Sequence, residues 1–576
     1  MYCRTLFSTL FFIVFTLIFL FEGTGVLQGT WVAYHLILSL PLLLSISCLV
    51  DQDDTPKKIS IPTVHALLFG GFIISSVIST VVSRDIQRSF EQTVLLLALF
   101  LLYLIMYGNK KNVIQLFVFL TMLIPFLFIG IGLYLTQFEN QLFVNAVFSA
   151  GFQYVRPLFR TSHPLGAVLI LPLALMIPYV FHSKKFRAVW ILGFGLGFLL
   201  LLFTFMRSAI AAIIVSVCAY IVFSPSLVHR HIGKITLSVC IVFSIFLGLF
   251  SLNASVRNIF QNTNPFDILV ENKGIFDART QYARQAVLGI IERPWWGNGP
   301  DTFEVVSRRY AGSPSTVDIS SHNLVLDLLS DHGVFGLLFF IFVLYTIITS
   351  RADLSGNSRL FTRGLILVSI SILVLYQLFR FQRYPAHLLY FILLLGLITK
   401  SKKHVYVPIS TFILVSGVVF ILSQSMIVSS IALKQGLSEF ASAVYPLNKQ
   451  AYMTSIRNGV ILQPEESSMM LRLSRQDYYF QRGIAQHYED KGDSNRALKY
   501  FLSSHELYPI GPFNHIAETY NLIIQVKGTH AAHDFFSQYL KRHMRETERY
   551  PHYNYEDHIR QFCIDQGIDC PGYVDK

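Results

Sequence analysis

The sequence predicts an all-α polytopic membrane protein, and three observations carry that prediction. Apolar residues make up 53% of the 576-residue chain and charged residues only 14%. A soluble protein of this size needs far more charge to cover its surface. Apolar runs of about 16–25 residues recur along the chain, each long enough to cross a hydrocarbon core of about 30 Å. Lys and Arg fall in short clusters between those runs, which is the positive-inside pattern. With a mean hydropathy of +0.51, this composition excludes a disordered chain, a secreted disulfide-rich domain and a soluble dinucleotide-binding enzyme. The net charge of +12 does not point to nucleic acid, because the basic residues form no single patch.

About thirteen spans are expected, near 5–21, 30–50, 61–82, 92–107, 113–135, 164–181, 188–205, 208–224, 236–251, 334–350, 364–379, 388–399 and 405–430. The first follows Arg4 without a small-residue cleavage site and reads as a retained anchor. The chain then divides into a first membrane part over 1–251, a large loop over 252–333, a second membrane part over 334–430 and a helical tail over 431–576.

One set of alternate short loops holds every short-loop lysine, among them Lys57, Lys58, Lys184, Lys185, Lys402 and Lys403. The other set holds Arg84, Arg88, Arg156, Arg160, Arg207, Arg380 and Arg383, and no lysine. The lysine-rich set is then cytoplasmic, with the N-terminus inside and both the large loop and the tail outside. Arginine alone on the outer face suggests planar, multi-donor recognition of phosphate or carboxylate. Snorkelling to lipid headgroups is the alternative.

The large loop is too long for an idle connector. A helix is expected from Ala278 to Arg293, then a tight aromatic turn at Pro294-Trp295-Trp296-Gly297-Asn298-Gly299. The Trp pair suits either a sugar ring or the membrane interface. A second helix is expected after Ser320-Ser321, a plausible N-cap pair. In the tail, Ala485, Tyr488, Gly492, Ala497, Phe501, Ser504 and Pro509 match the small/aromatic spacing of a tetratricopeptide repeat. A weaker second unit includes Ala532 and Phe536. Such helical pairs form a docking surface or a structural cap. Cys563 and Cys570 lie in the tail, where a disulfide can persist, with Gly567 between them for the turn.

No P-loop, dinucleotide fingerprint, HExxH or GxSxG stands in a suitable context. Neither a metal site nor a cofactor is expected, and an exterior site has no nucleotide to draw on. A substrate there must carry its own leaving group. The stretch Ser321-His322-Asn323 through Asp327, Asp331, His332, Gly333 and Gly336 places a histidine at the outer end of a membrane run. Neutral imidazole is a good general base at ambient pH. Asn323 and Asp327 share a helix face at i, i+4, and Asp331 continues it, while His322 lies one position around, so the spacing allows a carboxylate partner within this helix without requiring one.

These residues resemble a known family. His322-Asn323, nine further residues, Gly333, two more and Gly336 resemble the exterior-loop motif of the O-antigen ligase/O-antigen polymerase superfamily. Arg207-Ser208 resembles its Arg-small pair between two helices. Arg279, fifteen residues before Pro294 and followed by Gly297 and Gly299, resembles its large-loop segment. Arg160-Thr161-Ser162-His163-Pro164 resembles its Arg-to-Pro entry to a helix, with Leu165 at the usual Asn. His332 stands where an uncharged or acidic residue is common. The resemblance covers about residues 80–400.

The resemblance implies a metal-independent, inverting glycosyl transfer from undecaprenyl diphosphate, without cofactor, at the outer side of a bacterial cytoplasmic membrane. His322 would take the acceptor hydroxyl's proton. Arg207 and Arg279, with Arg160 or Arg156, would hold the diphosphate, and Asn323 would touch substrate. The acceptor is a lipid A core sugar, a glycan end or a protein hydroxyl. The tail suits the last two, as in protein O-oligosaccharyltransferases, although those enzymes' Gln-Pro-Asn segment is absent here. A lipid-linked-glycan transporter and a non-catalytic scaffold are the readings from other classes.

Overall fold

The computed structural model of the chain describes residues 29–50, 58–109, 162–182, 187–203, 207–223, 273–311, 316–350, 363–373 except 365, 385–460 except 402, 468–509, 511, 513–547 and 556–570 except 569, with short pieces within 9–18. In chain order the elements are α1 (Gly29–Val50), β1 (Lys58–Pro62), α2 (Thr63–Val81), α3 (Ile86–Gly108), α4 (Ser162–His182), α5 (Arg187–Phe203), α6 (Arg207–Phe223), α7 (Lys273–Glu292), α8 (Phe303–Tyr310), α9 (Leu324–His332), α10 (Leu337–Ser350), α11 (Pro385–Ile398), β2 (His404–Pro408) and α12 (Ile409–Lys434). The tail adds α13 (Ser438–Val444), α14 (Lys449–Arg457), α15 (Ser468–Ser474), α16 (Tyr478–Asp490), α17 (Ser494–Leu507), α18 (Phe513–Lys527), α19 (Thr529–Thr547) and α20 (Glu556–Gln566). The class is that of an all-α polytopic membrane protein.

Among the described residues, Thr63–Val81, Ile86–Gly108, Leu324–Ser350 and Ile409–Lys434 are long and apolar enough to cross a membrane. Shorter apolar helices lie at Val32–Ser47, Leu169–Phe181, Ala188–Phe198, Ser208–Val222 and His387–Ile398. The spans expected near 113–135 and 236–251, most of that near 5–21 and the end of that near 364–379 lie outside the described residues. Two expectations are corrected. The run expected at 334–350 starts at Leu324 and is interrupted by a 3-10 turn at Gly333–Gly336. The runs expected from 61 and from 405 begin in strand: β1 and β2 pair antiparallel, with Ser60 opposite Tyr406. Their alternation of Ile and Val with polar residues favours a ribbon, and Pro62 and Pro408 end it where α2 and α12 begin.

Two compact units are present. The first takes in Met1–Gly71, Val94–Lys273 and Leu338–Phe420. Its core is aromatic: Phe69 meets Phe100, Tyr103, Phe339 and Phe342. The buried Tyr103 hydroxyl is satisfied by Thr399 at 2.9 Å, as a polar group in an apolar core must be.

The second unit takes in Phe72–Thr93, Gly274–Leu337 and Ile421–Lys576. In its tail, Ala485, Tyr488, Ala497, Phe501 and Ser504 are buried where α16 packs on α17, and Gly492 turns the chain between them at φ 77°. Ala532 and Phe536 are fully buried in the same core. Cys563 and Cys570 are disulfide-bonded, with Cα atoms 6.2 Å apart. The tail is tied to the 72–93 segment by Lys449, whose ammonium bonds Asp85 at 2.8 Å and also Asp477.

Candidate active site

The site is built around the segment that leads into α9. Asn323 is the N-cap of that helix: its Oδ1 accepts from the N–H groups of Val325 and Leu326. Ser320 and Ser321, expected to cap, do something else. Their hydroxyls and the Ser321 N–H all donate to the Asp327 carboxylate at 2.7–2.9 Å. Asp327 is thus occupied in bracing the turn. Asn323 keeps only its amide nitrogen for a ligand.

The bracing has a backbone consequence. His322 sits at φ 55°, in the left-handed region that a non-glycine residue rarely adopts. Its N–H is held by Ser320 Oγ at 3.0 Å. Such a conformation persists only where its surroundings over-determine it, and it concentrates at functional sites. The turn swings the imidazole back toward Asp318, and Nε2 lies 3.2 Å from Oδ2 of that residue. The carboxylate partner found here precedes the helix. Burial alone would raise the Asp318 pKa, but the His322 ring and the N–H groups of Ile319 and Ser320 outweigh it and hold the carboxyl below its ordinary range.

Tyr282 of α7 lies beside His322, with ring centroids 5.5 Å apart. Arg279 stands one turn earlier on the same helix face, exposed. Among the described residues it makes no ion pair. The same helix sends Gln285, fully buried, to Ser307 Oγ at 2.7 Å, and Ser307 Oγ receives the Asp318 N–H at 3.0 Å.

The turn at 294–299 is stitched to the end of α9. Asn298 and Gly299 donate their N–H groups to the Ser330 and Asp331 carbonyls at 2.8 and 3.0 Å, and Val334 returns its own to Pro294 at 2.9 Å. Gly297 and Gly333 both have positive φ; a Cβ on Gly297 would overlap the Asp331 and Gly333 backbone, and one on Gly333 would overlap that of Trp295 and Pro294. Gly297 and Gly333 thus serve the join between the two segments. Asn298, which motif reading passed over, is its hub. Its side chain is wholly buried, gives two bonds to the Gly289 and Ser330 carbonyls, and receives Arg84 Nε at 2.6 Å.

Arg84 is only 1% exposed and also pairs with Glu292. Arg88 pairs with Glu304 and Asp85. Both belong to internal ion-pair networks, unlike Arg279. Of the remaining outer arginines, Arg207 opens α6, while Arg156, Arg160, Arg380 and Arg383 lie outside the described residues. Trp296 stacks on Phe335 at 4.7 Å, whereas Trp295 is 65% exposed. His332 is fully buried against Phe72 and Ser76.

Comparison with curated proteins finds no match. Residues 192–341 match the family model described as O-antigen ligase. That segment contains Arg207, Arg279, the 294–299 turn, His322, Gly333 and Gly336, while Arg156, Arg160 and the tail fall outside it. The match over residues 192–341 supports the O-antigen ligase superfamily for this part of the chain.

Proposed function

We propose that the protein moves a glycan from undecaprenyl diphosphate to an acceptor hydroxyl at the outer side of the bacterial cytoplasmic membrane. The observation that carries this reading is His322. It is a part-exposed imidazole in a left-handed turn, hydrogen-bonded to Asp318 and beside the helix that bears Arg279. His322 takes the acceptor's proton as the acceptor oxygen attacks the anomeric carbon. The bond from that carbon to the diphosphate breaks, and its electron pair leaves with the phosphate, inverting the centre. Arg279 and Arg207, with Arg160 and Arg156, hold the diphosphate and meet its growing charge. Guanidinium supplies that stabilisation without a metal, and losing one such donor costs about 100-fold or more in rate. The amide nitrogen of Asn323 is available to a substrate oxygen.

The outer location of the tail is supported by its disulfide, since such bonds persist in oxidising compartments. The tail also favours a polymer or protein acceptor over lipid A core, because helical pairs stacked as in tetratricopeptide repeats serve to dock an extended chain. Purified protein given undecaprenyl-diphosphate glycan and a panel of acceptors tests the reading. Release of undecaprenyl diphosphate is expected only with the right acceptor, which gains the mass of the glycan. Release without any acceptor gaining mass would contradict it.

A further inference from the structure

The His322 ring has two nitrogens, and only one of them is committed. Nε2 faces Oδ2 of Asp318 at 3.2 Å. An ionised carboxylate only accepts, so Nε2 carries the hydrogen and the lone pair of the neutral ring lies on Nδ1. Nδ1 makes no hydrogen bond to any described residue, and the side chain is 22% exposed. The ring is therefore oriented at one nitrogen and open at the other.

Asp318 is itself fixed from behind. Its N–H donates to Ser307 Oγ at 3.0 Å, Ser307 donates to Gln285 Oε1 at 2.7 Å, and Gln285 donates to the Thr316 carbonyl at 3.0 Å. Its Oδ1 accepts from the Ile319 N–H at 2.6 Å. Ser307 and Gln285 are fully buried. Tyr282 lies beside the imidazole and hydrogen-bonds the Asp318 side chain. A chain of hydrogen bonds thus runs from α7 through α8 to the Asp318 backbone, whose carboxylate in turn bonds the imidazole. A side chain that merely closed an exposed ion pair would have no need of such support.

We propose that Asp318 is the positioning residue of the transfer: it holds His322 with Nε2 protonated, so that Nδ1 is the atom that takes the acceptor's proton. The inference rests on His322 being the base. When the acceptor O–H breaks, its hydrogen passes to Nδ1 and its electron pair forms the new bond to the anomeric carbon. The imidazolium so formed is stabilised by the carboxylate already bonded at Nε2. Without Asp318 the neutral ring is free to place its hydrogen on Nδ1, where it cannot act as base. That is the effect of losing the orienting carboxylate of a catalytic histidine.

The test uses the full chain in nanodiscs. With Asp318→Asn, kcat for transfer is expected to fall about 100-fold while KM for the lipid-linked donor stays unchanged. Asp318→Glu should recover most of the rate. The nitrogen spectrum of ¹⁵N-histidine-labelled protein, with His322 assigned by its loss in His322→Gln, should show Nε2 protonated and Nδ1 bare in the wild type. In Asp318→Asn it should show the two tautomers mixed. The wild-type spectrum does not depend on whether the variant folds. A bare Nε2 in the wild type, or wild-type kcat in Asp318→Asn while His322→Gln is inactive, would overturn the positioning role and leave the base in place. Full activity in His322→Gln would overturn both.

Discussion

Gly333 and Trp295 are packed backbone to backbone. A Cβ on Gly333 would overlap the Trp295 carbonyl, while the next residue, Val334, donates its N–H to Pro294 at 2.9 Å. Gly333→Ala therefore carries two penalties. The left-handed backbone costs an L-residue about 1–2 kcal/mol, and the overlap forces the 294–299 turn off α9. Gly436→Ala is the control, since Gly436 has φ 81° and nothing within 4 Å of the added carbon. Thermal unfolding in detergent should show Gly333→Ala losing clearly more stability than Gly436→Ala. Equal losses would mean that the close approach does not matter.

Asn298→Ala should behave similarly through a different cause. It leaves the Gly289 carbonyl and the buried Arg84 Nε without their Asn298 bonds, and an unmet buried polar group costs about 1–3 kcal/mol. A lower unfolding midpoint, with Asn298→Asp restoring part of it by pairing Arg84, is the expected result.

The tie between the tail and the 72–93 segment depends on pH at both ends. Burial alone would raise the Asp477 pKa, but the Lys449 charge and hydrogen bond outweigh it and depress it. Its contribution is thus present above the ordinary carboxylate range and lost as pH falls through the lowered value. Burial alone would lower the Lys449 pKa, but Asp85 and Asp477 raise it. Its contribution is thus present below the ordinary lysine range and lost only as pH rises through the raised value. Hydrogen exchange at α14 should stay slow between those limits and quicken beyond either. Lys449→Met removes the cation that two largely buried carboxylates share, and breaking such a pair costs about 3–5 kcal/mol. Exchange at α14 should then be fast at every pH.

Reduction of the tail disulfide should lower its unfolding midpoint. The bond closes a short loop, Cys563 to Cys570, for which chain entropy gives about 2–3 kcal/mol. Both half-cystines are buried in the tail core. Cys563→Ala with Cys570→Ala should therefore unfold at the midpoint of the reduced wild type.

Much of this was legible in the sequence for physical reasons. Spanning helices announce themselves because a bilayer demands an unbroken apolar run, and the Gly297 and Gly333 spacing is readable because only glycine fits a left-handed backbone pressed on a carbonyl. The ribbon of β1 and β2 was hidden because its Ile and Val residues merge into the runs that follow. Asn323 and the Ser320-Ser321 pair offer the same capping chemistry, so the sequence does not say which of them caps. Asp318 stands four residues before His322, a spacing in plain view. It became a partner only through the positive φ of His322, which no pattern signals. Arg84 and Arg88 looked like free outer cations because Glu292 and Glu304, which neutralise them, lie far along the chain.

The central claim is a transfer in which His322 is the base and arginine holds the leaving diphosphate. The most direct measurement is release of undecaprenyl diphosphate by reconstituted protein given donor and acceptor, comparing wild type with His322→Ala, Arg279→Ala and Arg279→Lys. The account predicts a loss of about 100-fold or more in each, with lysine failing to replace a guanidinium that binds through its planar fork. Release by His322→Ala at the wild-type rate would contradict it.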